Sequence, residues 1–357
     1  MNERIQKLFR TSEINARALL LTSQPNIFYF TGFTGHDSWA IVDRNRVIII
    51  TDGRYLLQAQ QQCSSAKIVI RQGSITDAFS KIVKRHRIKS IAIIEEEITL
   101  SLFGKLKKSV EKIAVRKMSG KIIDELREIK SATEITNIKK AIKISEKSFL
   151  QAIGEIKIGM SEREFSALLE YKMKLNGAEK SAFDIIVACG RNSAKPHAEA
   201  SNNKLKASQP IVIDFGVRYK GYCSDLTRTI WLGKMPEYYR RIYEICLNAQ
   251  RIAISFIRDG IEVGTIDKKA RDIIESKGYG KYFLHSTGHG IGLNVHENPV
   301  LSQRVKQKLK KGMIVTVEPG IYIPGKGGIR IEDDILVTEQ GYEILSSLPK
   351  EIDDVIF

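Results

Sequence analysis

Five residues in the C-terminal half of the chain constrain its fold more than any other feature. Each lies in an apolar or glycine-rich segment: P-I-V-I-D-F-G, Y-C-S-D-L-T-R-T, S-T-G-H-G-I-G, T-V-E-P-G and I-R-I-E-D-D. Burying uncompensated charge is costly, so a cation is the natural partner of such a set. The set therefore predicts a two-metal hydrolytic centre. Its members are Asp214, Asp225, His289, Glu318 and Glu332.

Two strand-like runs, P-I-V-I-D-F-G-V and C-S-D-L-T-R-T-I-W-L, are joined by R-Y-K-G-Y. A hairpin centred between Tyr219 and Lys220 would place Asp214 opposite Asp225. Directly opposed side chains of an antiparallel pair have Cβ atoms about 4.5–5.5 Å apart. Two carboxylates at that distance repel each other unless a positive charge lies between them.

A second hairpin is predicted around the turn P-G-K-G-G, between M-I-V-T-V-E-P-G-I-Y-I and I-R-I-E-D-D-I-L-V. Centred on Gly325, it pairs Glu318 with Glu332. Two hairpins with opposed acids indicate two similar halves of one domain that close around one site. Either turn centre could slip by a residue, which would change the pairing.

Histidines supply the remaining chemistry. Glycines 288, 290 and 292 around His289 argue against a helical H-x-x-x-H pair with His285 and favour an extended segment. Four oxygens and one nitrogen suit Mn²⁺, Co²⁺, Fe²⁺ or Zn²⁺ better than a closed structural zinc site, which prefers thiolates. His197 and His296 lie in the same part of the chain, and the group together predicts proton handling near neutral pH. His36 and His86 are interpreted as structural.

The chain of 357 residues is too long for one ordinary core and predicts two domains, residues 1–118 and 119–357, with R-K-M-S-G-K (116–121) as the joint. The first reads as α/β and the second mixes helices with hairpins, so the fold class is α+β. Predicted strands of the first domain are 18–22, 39–43, 47–51, 67–70 and 90–95, and its predicted helices are 53–62, 74–86 and 99–109.

Capping-box patterns mark two helices of the second domain. S-A-T-E at Ser131 and S-E-R-E at Ser161 each precede a helical pattern; the first helix begins near Lys121 or Ser131 and runs towards Ile153. Two more helices are predicted at about 236–258 and 265–277.

Composition excludes several classes of protein. No stretch approaches the roughly 20 apolar residues of a membrane span, and the N-terminus lacks the apolar core of a signal peptide, so a cytoplasmic location is expected. The charge of +16 raises the possibility of nucleic-acid binding, but the basic residues are scattered without interleaved aromatics, which favours a solvated basic surface and no nucleic-acid partner. The four cysteines form no C-x-x-C pair and are expected to be free thiols.

Residues 121–357 resemble the pita-bread metallopeptidases, the family of methionine aminopeptidase, aminopeptidase P and prolidase. The motifs are D-F-G with a second Asp eleven residues on, H-x-x-G-H-G-I-G-x-x-x-H-E, E-P-G-I-Y and R-I-E-D. Residues 1–118, with F-T-G-F-T-G and T-D-G-R-Y, resemble the N-terminal domain of aminopeptidase P, prolidase and creatinase. Methionine aminopeptidases lack that domain and usually lack the first histidine of H-x-x-G-H, here His285. The resemblance thus favours an Xaa-Pro peptidase.

The resemblance implies a role for each matching position. Asp214 would bind one metal, Asp225 and Glu332 would bridge two, and His289 and Glu318 would complete the second. A hydroxide between the metals would attack the carbonyl before proline, with Glu318 as the base. Mn or Co is favoured as the metal, with Zn or Fe as alternatives. His197, His285 and His296 would bind substrate or pass protons, Arg330 would orient a ligand carboxylate, and Tyr322 is a further candidate near the substrate.

Some positions leave alternatives open. Many family members have Arg where this chain has Val300; Arg304 lies close by and would bind a dipeptide's carboxylate, unless it is simply a solvated arginine. The segment ending in Trp39 would reach a partner subunit's active site in a homodimer, unless Trp39 is an ordinary strand residue. Substrates would be proline-containing peptides or dipeptides. The competing functions are methionine aminopeptidase and a non-catalytic binding module of the same fold.

Overall fold

The computed structural model describes residues 3–10 and 14–357, and the chain divides into two compact units, Met1–Arg127 and Glu128–Phe357. The predicted boundary after residue 118 falls nine residues before that division, because a further helix belongs to the first unit.

A six-stranded sheet forms the centre of the first unit. Its order is β4-β3-β2-β1-β5-β6, and β2 alone runs against the others. The five predicted strands are confirmed within a residue, and β6 was missed because A-V-R-K-M is a mostly exposed edge strand without apolar alternation. The strands are β1 (Ala18–Leu21), β2 (Trp39–Asp43), β3 (Val47–Thr51), β4 (Lys67–Ile70), β5 (Ser90–Ile94) and β6 (Ala114–Met118).

Helices flank this sheet and bury an aliphatic core against it. The three predicted helices are confirmed as α3, α4 and α5, the first opened by a short 3₁₀ turn. The helix α2 was missed because Q-P-N-I-F-Y-F-T has no amphipathic stripe and no side-chain cap. The helices are α1 (Glu3–Arg10), α2 (Gln24–Thr31), α3 (Leu56–Gln62), α4 (Ile75–Arg85), α5 (Leu100–Ser109) and α6 (Lys121–Glu128).

Both predicted capping boxes open long helices of the second unit. Ser131 and Ser161 each exchange hydrogen bonds with the glutamate three residues on, which satisfies orphan N–H groups of the first turn. The helical conformation is interrupted between α6 and α7, so the long helix begins after Ser131 and not at Lys121. The helices are α7 (Ala132–Ile153), α8 (Glu162–Leu175), α9 (Glu237–Ser255) and α10 (Val263–Ser276).

Each pair of helices is followed by antiparallel strands, which gives the second unit two similar halves. Three sheets and one hairpin result, ordered β11-β10-β7, β12-β9-β8, β14-β13-β15-β18-β19 and β16-β17. After α8 come β7 (Lys180–Ser181), β8 (Ile186–Cys189), β9 (Ile211–Phe215), β10 (Val217–Tyr219), β11 (Tyr222–Cys223) and β12 (Leu226–Ile230); after α10 come β13 (Gly288–Gly290), β14 (Glu297–Leu301), β15 (Ile314–Val317), β16 (Gly320–Ile323), β17 (Gly327–Arg330), β18 (Asp333–Val337) and β19 (Tyr342–Ile344).

The two halves meet where β12 runs beside the bend between β17 and β18. Thr229 Oγ1 donates to Arg330 O at 2.9 Å, and the Arg330 N–H donates back to Thr229 Oγ1 at 3.0 Å. The Glu332 N–H donates to Thr227 O at 3.2 Å. This seam brings the acids of the two hairpins to one place.

All four cysteines are free and buried, as expected from their spacing. Within residues 3–10 and 14–357, every helix is too short or too polar to cross a bilayer.

Candidate metal centre

The first hairpin differs from the predicted register by two residues. Asp214 lies opposite Thr227, so the prediction that it faces Asp225 is wrong. The turn is centred one residue later, because Lys220 and Gly221, with φ of 47° and 81°, occupy its two central positions. Positive φ at both positions is typical of a type I′ turn, which glycine adopts without steric cost. Since side chains alternate with a period of two, Asp225 stays on the same face as Asp214.

The second hairpin has the predicted register. The strand pairs on either side of the two acids, β15 with β18 and β16 with β17, are both centred on Gly325. Glu318 and Glu332 therefore lie opposite each other in the short interruption between these pairs. The predicted register is thus confirmed on both sides of the two glutamates.

Asp225, His289 and Glu332 converge from three different segments. Each offers a ligand atom within 4.8 Å of the others, and all three residues are buried. His289 Nε2 lies 3.6 Å from Asp225 Oδ2 and 3.4 Å from Glu318 Oε1. Four of the five predicted residues thus meet around the His289 ring.

Arg330 joins Asp214 to this group. Its guanidinium donates to Asp214 Oδ2 at 2.5 Å and to Tyr322 Oη at 2.8 Å, and its Nε donates to Thr227 Oγ1 at 3.1 Å. The Thr227 hydroxyl in turn donates to Glu332 Oε2 at 2.7 Å. One arginine therefore orients a carboxylate on β9 and, through Thr227, a carboxylate next to β18.

Burial and mutual repulsion perturb the acids of the centre. Burial, then the charge of Glu332, holds the pKa of Asp225 well above its usual value. Burial likewise raises the pKa of Glu332 well above its usual value, with further contributions from Glu318 and Asp214. For Glu318 burial raises the pKa to about 8, although Arg330 opposes the shift. Each carboxylate is costly to ionise here without a further positive charge.

Divalent cations fit this donor set. Asp214 Oδ1 is buried without a hydrogen-bond partner among the described residues, an acceptor left over beside three crowded acids. His289 Nδ1 lies 3.0 Å from Gly290 O and must donate to that carbonyl, which leaves the lone pair of Nε2 facing the carboxylates. A histidine held in this tautomer by its other nitrogen is the usual arrangement of a metal ligand.

His285 lies beside the centre rather than in it. Its Nδ1 is 2.8 Å from Ser286 O and its Nε2 is 2.9 Å from Tyr322 Oη. Burial and the charge of Arg330 lower the pKa of His285 to about 4, and burial and His296 lower the pKa of His289 to the same value. Both rings are therefore neutral at physiological pH.

The other two predicted histidines line the same region. The His296 ring stands edge-on to His289, with centroids 4.4 Å apart. Burial lowers the pKa of His296, and so does the neighbouring His197. His197 is exposed and follows Pro196, whose carbonyl accepts from Arg330 at 3.0 Å. A partly accessible set of imidazoles thus borders the acidic group.

The predicted substrate contacts lie in different surroundings. Tyr322 is buried and bonded to both Arg330 and His285. Arg304 is exposed, and among the described residues no hydrogen bond or ion pair ties its side chain to the acidic group. Trp39 is buried on β2, where its ring packs edge-on against Phe79 at 5.9 Å. The roles of Arg304 and Trp39 stay predictions.

Two supporting residues escaped the sequence analysis, Thr227 and Arg228. The buried Arg228 guanidinium donates to Glu332 O at 2.5 Å and Asp333 Oδ1 at 2.8 Å. It also holds Leu348 O at 2.7 Å. A usable signal was present in L-T-R-T-I, because a charged residue inside an apolar strand needs buried partners.

Comparison with known proteins agrees with this geometry. The model of metallopeptidase family M24 matches residues 136–339, and that of the creatinase/prolidase N-terminal domain matches residues 2–129. The Xaa-Pro dipeptidase of Pyrococcus horikoshii is 39% identical over 99% of both chains. Among solved structures, an Xaa-Pro dipeptidase from Bacillus anthracis has a TM-score of 0.95 at 41% identity over 99% of both chains, and the X-Pro aminopeptidase of Thermotoga maritima has 0.91 at 40% identity over 96% of this chain and 98% of its own.

The chain belongs to metallopeptidase family M24 and carries a creatinase-type N-terminal domain. Its fold class is therefore the predicted one, a pita-bread catalytic domain after a smaller α/β domain. Within the family it is an exopeptidase related to the prolidases and aminopeptidase P, and the family implies divalent metal ions.

Proposed function

We propose that the protein hydrolyses the bond between an N-terminal residue and proline, in Xaa-Pro dipeptides or at the start of longer peptides. The observation that carries this proposal is the buried group of acids around His289, with His285 and Tyr322 beside it. Relatives at 39–41% identity that are named Xaa-Pro dipeptidase support the same substrate class.

Two divalent cations, Mn²⁺ or Co²⁺ in our proposal, would be held by the five predicted residues. When bound, such ions lower the pKa of water and polarise a carbonyl oxygen. The oxygen-rich donor set with one imidazole suits these metals. The residues assigned as ligands are Asp214, Asp225, His289, Glu318 and Glu332.

The chain's own groups would orient the peptide and move protons. Glu318 is the proposed base: bound cations would keep its carboxylate ionised, and burial, which raises its pKa to about 8 in their absence, favours uptake of a proton during the reaction. The neutral His285 ring donates through Nδ1 to Ser286 O at 2.8 Å, which leaves Nε2 as an acceptor beside Tyr322 Oη at 2.9 Å. We therefore assign His285 to receive a proton in transit. His197 and His296 are assigned to the same region.

A substrate panel tests the assignment. The protein is freed of metal, reconstituted with Mn²⁺ or Co²⁺, and offered an Ala-Pro dipeptide, an Ala-Pro-Ala tripeptide and an Ala-Ala dipeptide as matched control. We expect metal-dependent cleavage of a proline substrate and little of the control. Turnover of the dipeptide alone defines a dipeptidase, whereas turnover of the tripeptide defines an aminopeptidase.

The same panel separates the competing functions. Cleavage of Met-Ala peptides in place of proline peptides would assign a methionine aminopeptidase. Failure to cleave any peptide, together with failure to bind Mn²⁺ or Co²⁺ by elemental analysis, would leave a binding module of this fold.

A further inference from the structure

The segment that carries His285 has little regular structure of its own. Residues 283–287 belong to no helix or strand, and β13 with His289 begins directly after them. The Thr287 N–H has a backbone partner, Leu301 O at 3.0 Å, whereas the carbonyls of Phe283 and His285 are held by a side chain from elsewhere. Helix α10 lies against this region and presents an acid and a base to it, Asp267 and Arg271.

Arg271 binds two backbone carbonyls of the segment, those of Phe283 and His285. Its guanidinium donates to Phe283 O at 3.2 Å and to His285 O, and it stacks over the Phe283 ring at 4.3 Å. A planar fork that spans two carbonyls restricts both peptide planes at once. The backbone position of His285 thus depends on a side chain of α10.

Asp267 binds the other end of the segment. This carboxylate is 1% exposed and accepts from the Thr287 N–H at 3.1 Å and from Thr287 Oγ1 at 2.7 Å. It also accepts from Arg271 Nε at 2.9 Å, which joins the two side chains into one unit. The Thr287 carbonyl accepts from the Glu318 N–H at 2.8 Å, so the contact extends to an acid of the centre.

We propose that Asp267 and Arg271 are positioning residues that set the placement of His285 and Glu318 for the reaction. Among the described residues, no hydrogen bond joins the pair to a predicted ligand atom or to the imidazole ring, so the contacts act through the backbone. After burial and Arg330, the charge of Arg271 also lowers the pKa of His285. Arg271 controls His285, while Asp267 controls Thr287 and through it Glu318. The activity part of this inference rests on the proposed function, but the placement of the segment does not.

The same helix offers a matched control. Lys268 and Asp272, one position further along, form an i,i+4 ion pair at 2.7 Å with exposed side chains. The helix, the spacing and the types of charge are those of the Asp267–Arg271 pair, but the acid and the base stand in reversed order and the control pair faces solvent. Loss of one helix charge or of helix propensity would therefore affect stability in both pairs, apart from the small effect of charge order.

The test compares Arg271→Met and Asp267→Asn with Lys268→Met and Asp272→Asn in the full chain. Because partners of this kind typically change activity or metal affinity by about 10–100-fold, we expect Arg271→Met to lower kcat about tenfold or more with little change in KM or in Co²⁺ affinity. Asp267→Asn should lower both kcat and Co²⁺ affinity. Arg271→Lys should recover part of the loss, since it restores one of the two carbonyl contacts.

A second readout does not depend on peptide cleavage. In protein with ¹⁵N-labelled histidine, the ring signal assigned to His285 by its loss in His285→Ala should shift in Arg271→Met and stay in place in Lys268→Met. If the wild type cleaves no proline peptide, the proposed function is wrong. The ¹⁵N signal and the Co²⁺ titration still test whether Asp267 and Arg271 position the segment. The proposal is overturned if the Asp267 and Arg271 variants match the Lys268 and Asp272 variants in kcat, in Co²⁺ affinity and in the ¹⁵N signal. It is also overturned if these variants lower the melting temperature and leave all three quantities unchanged.

Discussion

At the scale of a single residue, Glu318 has both a raised pKa and a backbone hydrogen bond to the segment that carries His285. Its side chain lies among other acids and is mostly shielded from solvent, and this burial raises its pKa to about 8; its backbone N–H donates to the Thr287 carbonyl. A group with a raised folded-state pKa contributes its stability below the unfolded value near 4.5 and loses it as pH rises through about 8. In the absence of metal, ionised Glu318 therefore destabilises the fold.

Replacing either Glu318 or His289 should abolish catalysis with little loss of fold. We expect Glu318→Gln and His289→Ala to lower kcat/KM by about three orders of magnitude, comparable to the loss of an essential group at other catalytic sites. Glu318→Gln should also melt at a higher temperature than the wild type in metal-free buffer at pH 8, because the ionisable carboxyl is gone. Activity within about tenfold of the wild type would refute the assigned roles.

At the scale of the element, the turn between β10 and β11 determines where Asp225 lies. Two central residues with positive φ, Lys220 and Gly221, shift the hairpin so that Asp214 faces Thr227. The Thr227 hydroxyl then reaches Glu332, and the acids stand in diagonal rather than direct opposition. A turn of two residues thus decides which side chains can share a cation.

Gly221→Ala should therefore strain the backbone and also weaken metal binding by the acids. Left-handed conformation costs a residue with a Cβ roughly 1–2 kcal/mol, and we expect a loss of stability in that range by thermal or urea unfolding. Gly260, with the same φ of 81°, is a matched control away from the acids. Both alanine variants should lose similar stability, but only Gly221→Ala should weaken Co²⁺ binding. Equal Co²⁺ affinity in the two variants would show that the turn does not influence the acids.

At the scale of the whole molecule, the crowded acids link stability to pH and metal. Burial lowers the pKa of His285 and His289 from 6.5 to about 4, so their contribution is complete above 6.5 and lost as pH falls through about 4. Above pH 6.5 the carboxyls with raised pKa values therefore dominate the change of stability with pH. In the metal-free protein these acids favour the fold only while they keep their protons.

We expect the melting temperature of the metal-free protein to fall between pH 6.5 and 8. Mn²⁺ should raise it, and by more at pH 8 than at pH 6.5, because protons compete with the cation for the same oxygens. Differential scanning calorimetry with and without Mn²⁺ measures both effects. A metal-induced increase that is the same at the two pH values would contradict a centre built on protonated acids.

Much of the architecture followed from local patterns in the chain. The strands of the first unit and the capping boxes at Ser131 and Ser161 depend on residues a few positions apart. The pairing of Glu318 with Glu332 followed as well, because the loop P-G-K is short and centred on Gly325. Short-range patterns of this kind determine the elements and the register of tight hairpins.

Three features were not predicted, one because of a local turn preference and two because tertiary contacts stabilise the element. The glycine of R-Y-K-G-Y marks the second central position of its turn, and overlooking that preference displaced Asp225 by two residues. The apolar pattern of α2 carries no helical period, and the edge strand β6 carries no alternation. In both cases tertiary contacts, not propensity, stabilise the element.

By itself, the sequence determined which residue types form the centre, since four acids and a histidine in apolar segments demand a cation wherever they meet. Only the tertiary structure decided how they meet. Arg330 and Asp214 are 116 residues apart, and Asp267 on α10 is 20 residues from Thr287 in the segment before β13. Such contacts arise when packing removes water from both partners, so their geometry depends on the whole fold and not on the spacing along the chain.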